Sequence, residues 1–242
     1  RPHSLPMRPD LTCALALSVL PTLASPSCLE DAMLVFDGSL SMVEGGADIL
    51  SLPRIADARI ATATVLPEIE AQRRVGLITY GPGSSDGCDG ITLHFPPVEN
   101  AAGPIQEVLD ALSPAGLTPF TAAVEEAART LDYTRERSLI VLVTDGNETC
   151  GGRPCATADR LVAQAADMTV HVIGFQFRSD YFAWDNPEQT FGEDTVARCF
   201  ADKTGGLFVT PNTVGELEDA LRATLGCVLI GARDLKNLLP QT

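Results

Sequence analysis

The sequence predicts an α/β protein whose central, mostly parallel sheet is covered by helices on both faces. Two apolar runs without charge, residues 33–36 and 139–143, are typical of strands buried on both faces. Segments with apolar residues at helical spacing alternate with such runs, and this alternation builds a parallel sheet. At 242 residues, with 45% hydrophobic and 20% charged residues, the chain suffices for one sizeable α/β domain.

The expected elements extend from residue 33 to residue 225. Residues 91–95 alternate apolar and polar side chains before Pro96 and Pro97, which is typical of an edge strand with one wet face, and we expect His94 there to face solvent. His171 lies inside an apolar run and is expected to be a hydrogen-bonded core residue. The predicted strands are 33–36, 75–80, 91–95, 139–143, 169–175 and 207–210, and the predicted helices are 54–69, 105–112, 120–131, 156–166, 193–203 and 214–225.

The first 24 residues are expected to lie outside the folded domain. An apolar run, residues 11–23, follows Arg8 and leads into small residues, which is the pattern of a secretory signal peptide cleaved after Ala24. The run is short for a membrane span and contains Pro21. We therefore expect a secreted or periplasmic protein. The chain divides into an upstream extension with a signal peptide (1–24), one domain (25–227) and a C-terminal tail (228–242) that is too short to span a membrane.

The charge balance restricts the partners of the protein. The formal net charge is −15, and removal of residues 1–24, which carry a net charge of +1, leaves −16. Such an acidic body repels the phosphates of nucleic acids and anionic membranes, whereas it tolerates cations. We therefore expect neither a nucleic-acid partner nor an integral membrane segment in the mature chain.

The cysteines point to disulfides. Seven are present, and Cys13 falls in the expected signal peptide, which leaves an even set in an exported chain. A zinc site is the alternative, but the spacings lack a paired C-x-x-C arrangement, and the three histidines do not cluster with the cysteines in sequence. The disulfide candidates are Cys28, Cys88, Cys150, Cys155, Cys199 and Cys227.

Oxygen-bearing side chains follow two of the predicted buried strands. The first strand runs into Asp37, with Ser39 and Ser41 two and four positions on, and a later strand runs into Asp145. Ligands of open α/β sheets collect beyond the carboxyl ends of the strands, so these residues offer hard oxygen ligands to a divalent cation. Asp-Gly-Ser is also ordinary turn chemistry, and Thr118, before Pro119 at a helix entrance, is equally a helix cap.

Together these residues resemble a known site. Asp37-x-Ser39-x-Ser41, then Thr118, then Asp145 in Thr-Asp-Gly resemble the metal-ion-dependent adhesion site (MIDAS) of von Willebrand factor type A (VWA) domains, over about residues 29–226. The run Thr-Asp-Gly-Asn-Glu-Thr-Cys, with Cys199 and Thr204-Gly205-Gly206 downstream, is similar to exported bacterial members. The resemblance implies a doubly wound, Rossmann-like sheet with one antiparallel edge strand.

The resemblance also implies the cation and its ligands. The cation is magnesium, or else manganese or calcium. The hydroxyls of Ser39 and Ser41 bind it directly, Asp37 and Asp145 act directly or through water, and Thr118 alternates between direct and water-bridged binding. Magnesium prefers six oxygens and keeps waters, which leaves a position for the carboxylate of a protein partner. Many members carry glycine where this chain has Leu40, and the bulkier side chain alters the approach of a partner.

On the implied fold, a bridge between Cys28 and Cys227 ties the two ends of the domain together. For the other four cysteines we favour Cys88 with Cys150 and Cys155 with Cys199, and the alternative joins Cys150 to Cys155 and Cys88 to Cys199. The segment 177–191 has no counterpart in the motif. Its aromatic residues form a partner surface beside the metal or pack on one another: Tyr181, Phe182, Trp184 and Phe191.

The resulting hypothesis is a non-enzymatic, exported domain that mediates metal-dependent protein–protein interaction or adhesion. A haloacid-dehalogenase-like phosphotransferase also begins with a strand that ends in aspartate, but it needs a second acid two positions on, where Ser39 stands. A serine hydrolase is a weaker alternative, since neither serine lies in a Gly-x-Ser-x-Gly turn. The remaining alternative is a structural domain whose metal only stabilises its loops.

Overall fold

The computed structural model describes residues 28, 30–45, 52–83, 88–176 and 196–227. The expected signal peptide, the aromatic segment and the C-terminal tail lie outside these residues. The strands are β1 (Asp31–Asp37), β2 (Val75–Tyr80), β3 (Ile91–Val98), β4 (Arg137–Thr144), β5 (Asp167–Gly174) and β6 (Phe208–Val209). The helices are α1 (Arg54–Glu70), α2 (Ala102–Ala111), α3 (Phe120–Thr130), α4 (Pro154–Gln164), α5 (Arg198–Thr204) and α6 (Val214–Leu225), and a 3-10 helix covers Leu40–Val43.

The strands form a six-stranded sheet in the order β3-β2-β1-β4-β5-β6. All neighbouring strands pair in parallel except β3, which runs antiparallel to β2 at one edge. This confirms the expected doubly wound sheet with one antiparallel edge strand. From β1 the chain winds toward one edge, and from β4 it winds toward the other. The winding direction therefore reverses between β1 and β4, and ligands of doubly wound sheets bind at such a reversal.

The charge-free run in β1 is explained by burial on both faces of the sheet. Alternate side chains of a strand point to opposite faces. Leu34 and Phe36 join the core cluster formed with α1, α2 and α6, whereas Met33 and Val35 join the cluster formed with α3, α4 and α5. All four side chains are fully buried. The central strand therefore has no face on which a charge would reach solvent.

The edge strand β3 differs from the expectation in two ways. It continues through Pro96 and Pro97 to Val98, although the prolines were expected to end it. Proline is tolerated because an edge strand pairs on one side only and because the β2–β3 register shifts around Leu77. His94 is half-buried rather than solvent-facing, with its Nε2 2.8 Å from the hydroxyl of Thr79, and burial lowers its pKa.

Three disulfides connect the domain. Cys28 beside β1 bonds Cys227 after α6, Cys88 before β3 bonds Cys150 after β4, and Cys155 of α4 bonds Cys199 of α5. These are the pairs favoured on the implied fold. Three bridges in one domain are typical of proteins in oxidising compartments outside the cytosol. Within the described ranges, none of the helices has the length and apolar character needed to cross a membrane.

His171 should make the stability of the domain depend on pH. Its Nδ1 accepts a hydrogen bond from the backbone N–H of Leu207 at 2.8 Å, and burial, together with the charge of Arg73, lowers its pKa from 6.5 to about 4. The unfolded chain therefore binds more protons between these two pH values. The free energy of unfolding should fall by up to about 3 kcal/mol as the pH drops from the unfolded to the folded pKa.

Chemical denaturation across this pH range checks the prediction. His171→Asn keeps a hydrogen-bond acceptor near the position of Nδ1 but does not titrate. The variant should show a flatter pH dependence than the wild type, and an unchanged slope would assign the effect to other groups.

Candidate metal centre

Two buried carboxylates lie side by side where the winding direction reverses. Asp37 is the last residue of β1 and Asp145 directly follows β4. The two strands are parallel neighbours, with Phe36 opposite Val143, so their carboxyl ends coincide. Asp37 is fully buried and Asp145 is 3% exposed. The structure thus brings together the two acids that the sequence places 108 residues apart.

The carboxylate of Asp37 is held by hydrogen bonds from three elements. Its Oδ1 accepts the backbone N–H of Ser39 at 2.7 Å, and its Oδ2 accepts the hydroxyls of Tyr80 at 2.9 Å and Thr144 at 3.0 Å. Burial raises the pKa of Asp37, and the hydrogen bonds from Ser39, Tyr80 and Thr144 oppose that rise. Burial and the neighbouring Asp37 charge raise the pKa of Tyr80, which keeps its hydroxyl a donor.

The two serines connect the carboxylates. The hydroxyls of Ser39 and Ser41 lie 3.0 Å apart, and Ser41 donates to Oδ1 of Asp145 at 2.6 Å. Ser39 is 1% exposed. Four of the five predicted ligands therefore form one hydrogen-bonded cluster.

Thr118 lies in a neighbouring loop and contacts the loop after β4. Its backbone N–H donates to the hydroxyl of Thr149 at 2.8 Å, and the N–H of Thr149 donates to the carbonyl of Thr118 at 3.2 Å. Within the described ranges, hydrogen bonds join Thr118 to Thr149 rather than to the other four predicted ligands. It is buried but does not cap helix α3 with its side chain. The fifth predicted ligand is thus near the β4 loop, apart from the hydrogen-bonded cluster.

Glu148 performs the capping role that the sequence suggested for Thr118. Its Oε2 accepts the backbone N–H of Thr121 in the first turn of α3 at 2.8 Å, and its Oε1 accepts the N–H of Cys150 at 2.9 Å. The side chain is 2% exposed. A carboxylate at a helix N-terminus satisfies free N–H groups and interacts favourably with the helix dipole. Sequence reasoning missed it because the acid comes from a loop 27 residues downstream.

Close backbone contacts fix the loop that carries the serines. The N–H of Leu40 donates to the carbonyl of Gly116 at 3.2 Å, and the N–H of Ala115 donates to the carbonyl of Gly38 at 2.9 Å. Gly116 has φ +74°, a conformation that favours glycine. A Cβ at Gly81 would lie 2.3 Å from the carbonyl carbon of Gly38. The loops after β1 and β2 and the loop before α3 therefore pack backbone against backbone.

Arg54 is the functional residue that sequence reasoning missed most clearly. It is the first residue of α1 and only 2% exposed. Its Nη1 donates to Oδ2 of Asp145 at 3.1 Å and to the carbonyl of Ser41 at 2.9 Å. It also pairs with Glu44 at 3.5 Å, but the Glu44 side chain is 60% exposed and this pair is weak. A cation in the first turn of a helix opposes the helix dipole, and this was the signal available in the sequence.

The cluster carries excess negative charge when both aspartates are ionised. Burial, followed by the charge of Asp37, raises the pKa of Asp145 to about 7, while Ser41 and Arg54 lower it. With both aspartates ionised, the buried guanidinium of Arg54 compensates for only one of the two charges. The arrangement therefore favours an additional cation between the carboxylates.

The residues present fit a hard divalent cation. Adjacent ligands of an octahedral magnesium ion lie about 3.0 Å apart, given bond lengths of about 2.1 Å. The hydroxyls of Ser39 and Ser41 have this separation. In the part of the chain that the structure describes, no three His, Cys, Asp or Glu side chains cluster as a metal site. The donor atoms that the cluster offers are hydroxyl and carboxylate oxygens, which suit magnesium, manganese or calcium.

The fold and the oxygen cluster are similar to those of VWA domains, and a comparison with known families finds the same similarity. A family model described as the von Willebrand factor type A domain matches residues 32–148, which include Asp37, the serines, Thr118 and Asp145. The chain is also 26% identical over 214 residues to the uncharacterized protein YwmD of Bacillus subtilis (strain 168), covering 82% of this chain and 89% of YwmD. The match and the architecture thus make residues 32–148 similar to VWA domains.

Solved structures share the fold. The pilus adhesin SpaC from Lactobacillus rhamnosus GG superposes with a TM-score of 0.60 at 16% identity, covering 88% of this chain and 30% of the adhesin chain. Proximal thread matrix protein 1 from the mussel byssus gives a TM-score of 0.54 at 17% identity, covering 83% of this chain and 48% of that chain. Another structure of the mussel protein has a zinc-occupied MIDAS motif. The protein thus spans about half or less of these chains, and identities this low show the fold alone.

The ion pair between Arg54 and Asp145 should stabilise the cation-free domain. Arg54→Met removes the buried guanidinium and leaves Asp145 beside Asp37 without a countercharge. We expect a loss of about 3–5 kcal/mol in the free energy of unfolding, measured by chemical denaturation with a chelator present.

A double-mutant cycle separates the ion pair from lost packing. Adding Asp145→Asn to Arg54→Met removes the unpaired charge, so the double variant should be more stable than the sum of the single effects predicts. Strictly additive losses would show that the two side chains do not interact energetically.

Proposed function

We propose that the protein is an exported, non-enzymatic domain that binds a divalent cation and, through it, a protein partner that offers an acidic side chain. The observation that carries the proposal is the cluster of Ser39, Ser41 and Asp145 oxygens beside the buried Asp37 at the reversal of the sheet. Two buried carboxylates with a single buried guanidinium as countercharge favour the binding of a cation. Magnesium binds six ligands, so the coordination positions that the protein does not fill remain open to water or to a partner.

Each residue would have a distinct role. The hydroxyls of Ser39 and Ser41 would bind the cation directly. The carboxylate of Asp37 already accepts three strong hydrogen bonds, so it would act through bound water and through its charge. Asp145 lies within reach of Ser41 and would neutralise the cation directly or through water. Thr118, held by Thr149 in the neighbouring loop, would be the ligand that changes between direct and water-bridged binding.

The similar proteins support the proposal by analogy. The mussel protein has a zinc-occupied MIDAS motif, and SpaC is described as a pilus adhesin. We carry over a bound divalent metal from the first and an adhesive role from the second, and not the whole activity of either chain. The three disulfides favour an exported location. Magnesium is our choice among the hard cations, since the hydroxyl separation suits its bond lengths.

Among the described residues, the groups that the two alternative enzyme classes need are not placed at the site. Ser39 stands where a phosphotransferase needs its second acid. The two histidines of the described ranges contact Thr79 and the backbone of Leu207 rather than either serine, so neither is placed as a general base. We expect no turnover of a generic aryl phosphate, and turnover that Asp37→Asn abolishes would overturn the non-enzymatic assignment.

Calorimetric titration with Mg²⁺ and Mn²⁺ tests the cation site. Ser41→Ala removes a proposed direct ligand and should weaken cation binding by at least roughly tenfold, a loss that is typical even for outer-shell partners. The matched control is Ser138→Ala, which removes another hydroxyl in β4 at the opposite end of the sheet. The control should bind the cation as the wild type does. A wild type without cation binding, or a Ser41→Ala variant with full affinity, would contradict the proposal.

A further inference from the structure

We infer that apolar side chains around the candidate metal centre select a partner segment in which the acidic residue is flanked by aliphatic residues. The inference rests on the proposed function and adds the chemical class of the partner. Among the described residues, seven large apolar side chains are exposed, and four of them lie in the loops around the site. We name these four the apolar rim: Leu40 (59% exposed), Val43 (46%), Leu52 (52%) and Leu117 (41%).

Two members of the apolar rim are sequence neighbours of proposed cation ligands. Leu40 lies between Ser39 and Ser41, and Leu117 directly precedes Thr118. The hydrogen bond from the N–H of Leu40 to the carbonyl of Gly116 joins their two loops. Both leucines are therefore exposed residues of the two joined loops that carry proposed cation ligands.

The other two members come from a second pair of joined segments. Val43 ends the 3-10 helix, and Leu52 precedes α1. The N–H of Arg54 donates to the carbonyl of Glu44 at 3.0 Å, and Gly45 forms a bridge with Pro53. Val43 and Leu52 thus belong to segments whose backbones are bonded next to the serine loop.

The exposure of Leu40 and Val43 is not required by packing within the domain. The same 3-10 helix buries Met42 completely while it exposes Leu40 and Val43. Met42 already attaches this short helix to the core, so the exposed side chains of Leu40 and Val43 add nothing to the packing of the core. Exposed apolar side chains that cluster around a polar centre mark contact surfaces.

The net charge of the centre determines which chemical group of a partner would bind inside the apolar rim. With a divalent cation bound, the ionised Asp37 and Asp145 and the guanidinium of Arg54 leave a net charge of +1. One partner carboxylate neutralises this charge, and aliphatic side chains next to it bury apolar surface against the leucines. A protein segment with the order aliphatic, acidic, aliphatic supplies both kinds of contact in one short stretch.

Short capped peptides test this preference on the full chain. The probes are acetyl-Leu-Asp-Leu-amide, acetyl-Gly-Asp-Gly-amide and acetyl-Leu-Asn-Leu-amide, titrated with Mn²⁺ or with a chelator and followed by calorimetry or NMR. In Mn²⁺ the first peptide should bind roughly tenfold more tightly than the second, since burying aliphatic side chains is favourable. The asparagine peptide and all peptides in chelator should not bind detectably.

Substitutions in the apolar rim assign the preference to these side chains. Leu40→Ser and Leu117→Ser should reduce the affinity for the leucine-flanked peptide to that of the glycine-flanked one and leave the Mn²⁺ affinity unchanged. Val162→Ser is the matched control, because Val162 is an exposed apolar residue (41%) of α4, outside the apolar rim. The control should bind the leucine-flanked peptide as the wild type does.

The outcomes separate this inference from the proposed function. Mn²⁺ binding with equal affinity for the two aspartate peptides, or with no peptide binding, overturns the inference and leaves the cation site standing. Absence of Mn²⁺ binding overturns both. Rim variants that change the oligomeric state of the chain without changing peptide affinity would assign the apolar rim to contacts between copies and overturn the inference.

Discussion

The burial of two carboxylates beside each other is the constraint on which the rest of the site depends. Asp37 and Asp145 lie at the ends of adjacent strands, and desolvation together with mutual repulsion disfavours their ionised forms. The structure offsets this cost with a hydrogen-bond donor from each surrounding element: Tyr80 from β2, Thr144 from β4, Ser41 from the 3-10 helix and Arg54 from α1. Each of these donors reaches its carboxylate only because the strand order and the loop backbones place the two groups within hydrogen-bond distance.

The same constraint explains what could be predicted from the sequence. Asp37 and Asp145 were found because each follows a charge-free strand, and parallel strands bring their carboxyl ends together whatever their distance in sequence. The sheet was predicted for the same reason, since burial on both faces leaves a distinctive apolar run. The end of β3 was misjudged because the tolerance for Pro96 and Pro97 depends on a register shift against β2, which local pattern does not reveal.

Arg54 and Glu148 could not be placed from the sequence because their partners are distant and polar. The contact between Arg54 and Asp145 spans 91 residues, and that between Glu148 and Thr121 spans 27. Glu148 lies in a loop and Arg54 is the first residue of a helix, so neither belongs to a periodic pattern that would reveal its burial. Glu148 also shows that the loop after β4 serves several purposes at once. Besides following Asp145, this loop caps α3, holds Thr118 through Thr149 and carries Cys150, which is bonded to Cys88.

In the proposed function, Arg54 would set the net charge of the centre both without and with the cation. In the cation-free domain its guanidinium compensates for one aspartate, so the ionised cluster keeps a net charge of −1 and repels a carboxylate. In the proposed function a divalent cation changes this charge to +1, and the same surface then attracts a carboxylate. Without Arg54 the charge would pass only from −2 to zero, and the loaded site would be neutral toward an acidic partner. The guanidinium of Arg54 therefore adds one positive charge to the centre in both states. In the proposed function, the sign of the net charge would then depend on whether the cation is bound.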